Sequence, residues 1–216
     1  MAIDNWPRLW YNAATMKYVI GLTGNIGSGK STVLAMLAQL GARIVDADDL
    51  VHQVMDRGTP VWQAVVDTFG EAVLDEGGCI DRKKLGSVVF DDPQALKRLE
   101  EIVHPAVDES FLELVRNAEE PIMAVEAVKL IESGVHHVLS SLWLVTCPEE
   151  ERLRRLVEGR GADPQDVQER LKAQMPEEEQ ARWADVVIDN SGTLEQTWEQ
   201  VKAEWERIQE RLCQQP

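Results

Sequence analysis

Residues 24–32 read GNIGSGKST, and the fold turns on them. They fit the phosphate-binding loop pattern G-x-x-x-x-G-K-[ST], with Gly24, Gly29, Lys30 and Ser31 on the specified positions. Upstream, residues 17–22 (KYVIGL) make a short apolar run of the kind a buried parallel strand needs. Downstream, Val33, Leu34, Met36, Leu37 and Leu40 recur at helical spacing, and Gly41 stands where a C-terminal helix cap belongs. Strand, glycine loop and helix therefore follow one another in the order that such a loop requires.

The residue types match the chemistry of a polyphosphate. Backbone N–H groups must approach the phosphates closely, so side chains have to be absent where the loop wraps them; Gly24, Gly27 and Gly29 provide that. The loop runs into a helix N-terminus, whose free N–H groups and partial positive charge favour an anion. Lys30 is expected to reach the β- and γ-phosphates, and the Ser31 hydroxyl to ligate Mg²⁺.

A chain of 216 residues is long enough for one α/β domain with insertions and a sizeable core. No stretch approaches the ~20 apolar residues of a membrane span. Residues 1–15 have neither a basic n-region nor an apolar h-region, and read as an extension rather than a signal peptide. Cys79, Cys147 and Cys213 are widely spaced and odd in number, which suits reduced thiols in the cytoplasm and argues against a disulfide framework or a zinc site. The net charge of −16 makes nucleic acid a poor partner, so a polyphosphate must be held by a few local cations.

Residues 43–47 (RIVDA) read as a second strand that delivers Asp46 and Asp48 to its carboxyl end. In open α/β sheets that end faces the ligand crevice, which makes Asp48 the candidate catalytic carboxylate. A plainer alternative is that Asp48 or Asp49 caps the helix that follows. Residues 59–118 are mainly helical, with apolar steps of three and four over 61–69, 82–89 and 93–115; about sixty such residues between two strands point to a substrate-holding insertion. It contains His104. Residues 121–127 form the third strand, ending in Glu126; either Glu126 or Asp46 is the candidate for organising the metal. Residues 141–147 and 184–188 form the fourth and fifth strands. Between these last two lies an arginine-bearing helical stretch; Gly159 and Gly161 flank Arg160, which suggests a mobile hinge or tip and makes Arg160 the candidate to close over the γ-phosphate. In the last segment Leu194, Trp198, Val201, Trp205, Ile208 and Leu212 mark one helix face. That stripe is too short for a coiled coil, so it packs on the sheet and a monomer or weak homo-oligomer is expected.

With these residues assembled, the chain resembles the dephospho-coenzyme A kinases. The resemblance rests on GLTGNIGSGKST, VDADDLVHQV, IDRKKLGSVVF, LEEIVHPAV, LKAQM and ADVVIDNSG in this order. It implies a three-layer phosphate-loop fold with a five-stranded parallel sheet: core segments 16–58, 119–147 and 183–214, a helical coenzyme A-binding insertion at 59–118, and a lid at 148–182. It implies transfer of the ATP γ-phosphate to the ribose 3′-hydroxyl of dephospho-coenzyme A, with Mg²⁺. On this resemblance Gly27, Ser28, Gly29, Lys30, Ser31 and Thr32 bind ATP, with Arg155 and Asn190 around the nucleotide. Asp48 stands beside the acceptor hydroxyl, Arg160 is the lid arginine, and Arg82, His104 and Gln174 contact substrate. Three departures stand out: His52 replaces a usual arginine, Val128 and Lys129 replace a proline and a leucine, and Gly161 rather than an acidic residue follows Arg160. A guanine-nucleotide switch is disfavoured, because N-K-x-D is missing from the chain.

Overall fold

The computed structural model describes residues 17–90, 92–126 and 139–214. The extension 1–15, Val128 and Lys129 lie outside the described residues.

Five strands form one sheet in the order β2-β3-β1-β4-β5: β1 (Tyr18–Thr23), β2 (Arg43–Asp46), β3 (Ile122–Glu126), β4 (Ser141–Thr146) and β5 (Val186–Asp189). β1 runs parallel to β3 and β4, and β4 parallel to β5. The three central strands are covered on both faces, so their side chains are apolar without alternation. Trp143 of β4 is fully buried, and the core accepts its indole because Nε1 donates to Ser141 Oγ at 3.1 Å.

The chain divides into two compact units, the second of which is Asp46–Asn117. The first holds the sheet, with α1 (Lys30–Leu40) and α9 (Leu194–Cys213) packed together and α6 (Glu149–Arg160), α7 (Pro164–Lys172) and α8 (Glu177–Ala181) following β4. α1 ends on Gly41 in the left-handed conformation (φ 104°), the cap its sequence announces. α9 begins with a capping box, Thr193 accepting from Gln196 N while the Gln196 side chain accepts from Thr193 N. The apolar stripe of α9 holds at Val201, Trp205 and Ile208, with Trp198 and Leu212 packed at its margin. Leu194 departs from it: at the first helical position it is 62% exposed, and fully buried Thr197 takes the inward place instead.

The second unit is helical: α2 (Ala47–Val54), α3 (Pro60–Phe69), α4 (Arg82–Val89) and α5 (Pro93–Asn117), with a 3₁₀ turn at Glu71–Val73. α2, α3 and α4 all pack on α5 around Val61, Val65, Leu85, Val103 and Val107. The unit starts at Asp46 and so includes α2, because Val51, Val54 and Met55 pack into this apolar cluster.

Candidate active site

The loop leaves β1 at Gly24 and enters α1 at Lys30. Gly24, Gly27 and Gly29 all have positive φ. Two of them are fixed by their surroundings. A Cβ on Gly24 (φ 143°) would lie 2.5 Å from the Val145 carbonyl oxygen. One on Gly29, the left-handed N-cap of α1 (φ 98°), would overlap the amide nitrogen of Asn190. Gly29→Ala is therefore expected to destabilise the protein by about 1–3 kcal/mol, from the left-handed backbone plus the collision. Thermal unfolding should show the loss, and nucleotide titration should show weaker binding because the same displacement deforms the loop.

Lys30 is buried, at 8% exposure. Its ammonium donates to the Gly24 carbonyl at 2.8 Å and lies 4.0 Å from Glu126 Oε1, at the carboxyl end of β3. Ser31 follows, exposed on the first turn of α1. Thr32 N closes that turn on the Gly29 carbonyl at 3.0 Å.

Residues from remote elements hold the loop in place. Asn190, buried after β5, donates its amide Nδ2 to the Ser28 carbonyl at 2.8 Å and accepts from Thr197 Oγ1 at 3.0 Å. Its backbone carbonyl accepts from Arg155 Nη2 at 2.9 Å. Gln174, just past α7, accepts from Ile26 N at 2.9 Å, and Gln180 of α8 donates Nε2 to Asn25 Oδ1 at 2.6 Å. The resemblance implies ligand contacts for Asn190, Arg155 and Gln174; in the structure their hydrogen bonds tie the loop and its surroundings together. Gln180 and Thr197 belong to no motif, and no spacing in the sequence marks them.

Glu151 on α6 anchors two arginines. Hydrogen bonds from Arg154, then Arg155, hold its carboxyl far below the ordinary value, at about 2. The pair with Arg155 spans 3.0 Å. Cys147, at the end of β4, has its thiol pushed upward by burial. α6 ends at Arg160, capped by left-handed Gly161 (φ 65°); the Arg160 side chain lies outside the described residues.

In the helical unit, Asp46 is the N-cap of α2: its Oδ1 accepts from Asp48 N at 2.8 Å and Asp49 N at 3.4 Å. The cap thus falls on Asp46 rather than on Asp48 or Asp49, which are exposed in the first turn of the helix. His52 Nδ1 lies 3.9 Å from Asp49 Oδ1. A cavity of about 250 Å³ in this unit is lined by His52, Arg57, Cys79 and Arg82 among others. His104 is exposed on α5 and is not among the lining residues.

A parallel sheet whose central strand passes through a glycine loop into a helix headed by a buried lysine defines the phosphate-loop class of nucleotide-binding α/β proteins. The family model for dephospho-CoA kinase matches residues 18–196. The dephospho-CoA kinase of Aquifex aeolicus is 45% identical over 190 residues, covering 88% of this chain and 96% of that protein. That of Geobacter metallireducens is 44% identical over 195 residues, covering 88% and 97%. Among solved structures, TT1252 from Thermus thermophilus matches with a TM-score of 0.77 at 38% identity, over 88% of this chain and 97% of that one. Dephospho-CoA kinase from Campylobacter jejuni matches with a TM-score of 0.56 at 25% identity, over 89% and 98%. This chain belongs to the dephospho-CoA kinase family.

Proposed function

We propose that this enzyme transfers the γ-phosphoryl group of ATP to the ribose 3′-hydroxyl of dephospho-coenzyme A, giving coenzyme A and ADP in the last step of coenzyme A synthesis. The observation that carries the nucleotide half is the loop itself: bare backbone at Gly24, Gly27 and Gly29, opening onto the N-terminus of α1 with Lys30 folded over it. Family membership carries the acceptor.

Phosphoryl transfer asks the protein mainly for positioning and charge neutralisation. The backbone of the glycine loop and of the first turn of α1 cradles the phosphates, and the Lys30 ammonium leaves the Gly24 carbonyl for the β- and γ-oxygens. Asp48 accepts the proton of the attacking hydroxyl, and Arg160 neutralises charge on the transferring group. Arg155 and Asn190 keep the loop in shape around the nucleotide. Gln174, whose side-chain oxygen accepts from Ile26 N, likewise holds the loop, and Arg82 and His104 serve the acceptor side, with residues 59–118 as the acceptor-holding insertion and 148–182 as the lid.

The donor set at the loop fits Mg²⁺. Among the described residues no group of three or more His, Cys, Asp or Glu side chains forms a metal cage. The exposed Ser31 hydroxyl and the Glu126 carboxylate are hard oxygen donors, and Mg²⁺ takes few protein ligands, completing its shell with phosphate oxygens and water. When bound, the ion neutralises negative charge on the β- and γ-phosphates. Free cysteines at Cys79, Cys147 and Cys213 suit a cytoplasmic setting, and no described helix is long and apolar enough to cross a membrane.

Labelled ATP offered with a panel of acceptors tests the reading. Dephospho-coenzyme A should take the label far faster than nucleoside monophosphates or small alcohols; preference for any of those would replace the acceptor proposed here.

A further inference from the structure

We propose that Arg152, on α6, is a phosphate-binding residue of the nucleotide site, a second buried cation that acts with Lys30 on the polyphosphate. The inference rests on the nucleotide reading given above and adds a residue to it.

Among the described residues, Lys30 and Arg152 are the buried cations, at 8% and 6% exposure. Their situations differ. Lys30 has the Gly24 carbonyl and Glu126 at hand. Arg152 has its Nε and Nη1 buried with no acceptor, whereas its neighbours Arg154 and Arg155 share the Glu151 carboxylate. A guanidinium withdrawn from water without a counter-charge is costly, and proteins retain one only where an anion or a full set of acceptors meets it.

α6 packs against the loop at Arg152. A Cβ built on Gly27 would lie 3.1 Å from the Arg152 carbonyl oxygen and 3.2 Å from its Cβ. One turn further on, Arg155 Nη1 comes within 3.6 Å of the corresponding position on Gly29. One helix face thus carries two arginines past two successive loop glycines. Ser28 Oγ and Gln180 Oε1, both at this loop, are likewise buried without partners. The loop is built to gather an anion, and the several N–H donors of a guanidinium suit phosphate oxygens. A polyphosphate therefore satisfies what the protein alone leaves open at Arg152. The competing explanation is purely structural, with water linking Arg152 to Gln180 and Ser28.

The two are separated by titrating wild-type protein, Arg152→Gln and Arg152→Lys with ATP, ADP and adenosine by calorimetry, without acceptor. Loss of a charge-assisted hydrogen bond to phosphate should weaken ATP and ADP binding of Arg152→Gln by about 10- to 100-fold, with adenosine unaffected and Arg152→Lys in between. Unchanged ATP affinity in Arg152→Gln, or equal losses for all three ligands, would overturn the assignment and leave a structural arginine. If the wild-type protein bound neither ATP nor ADP, the nucleotide reading itself would fall, and this inference with it.

Discussion

Lys30→Met should give a folded protein whose phosphoryl transfer is slower by about 10²–10³-fold, the usual loss when one preorganised charge at a reacting centre is removed. Methionine nearly matches the lysine stem in volume, so the space beside Gly24 and Glu126 stays filled and the fold should survive, its melting temperature lowered by the lost hydrogen bond to the Gly24 carbonyl. What goes is the ammonium that we propose follows the β- and γ-oxygens. The ATP KM should rise together with the fall in kcat, because the same cation grips ground state and transition state. Steady-state kinetics alongside a thermal melt will check this. Wild-type turnover in a well-folded Lys30→Met protein would remove Lys30 from the mechanism.

Asp48→Asn carries the other large expectation. General-base assistance is worth about 10²–10⁴-fold, and kcat should fall by that order. The swap is nearly isosteric, and the cap of α2 is made by the Asp48 backbone N–H to Asp46 Oδ1 at 2.8 Å, which the substitution leaves intact. ATP affinity should therefore survive. Measuring kcat and ATP affinity together gives the signature: turnover lost, nucleotide retained. A variant with undiminished kcat would move the base elsewhere, and one that lost ATP binding would turn Asp48 into part of the nucleotide site.

What the sequence conveyed well is local. The strand–loop–helix at residues 17–41 has fixed spacing and its own punctuation, so β1, the loop, α1 and the Gly41 cap were all legible from contiguous residues. The helices of 59–118 were readable for the same reason, since each carries a three- and four-residue apolar step. What the sequence concealed is what only the fold brings together. Asn190 meets Ser28 across 162 residues of chain, Gln180 meets Asn25 across 155, and Gln174 meets Ile26 across 148. No periodicity announces such contacts. A resemblance located Asn190 and Gln174 near the site, but it did not reveal that their amides hold the loop. Leu194 departs for a related reason: an apolar stripe says nothing about which of its positions reaches the core, and Thr197 goes inward, where Asn190 Oδ1 receives its hydroxyl. Asp46 taught the opposite lesson, a residue whose carboxylate is committed to a cap that the sequence could equally assign to its neighbours.

The central claim is that ATP and dephospho-coenzyme A react with each other on this protein. Incubation with dephospho-coenzyme A and ATP labelled in the γ-phosphate, followed by mass analysis of both nucleotides, tests it most directly. Coenzyme A carrying the label in its ribose 3′-phosphate should form, one for one with ADP. Label found only in free phosphate, with dephospho-coenzyme A recovered unchanged, would contradict it.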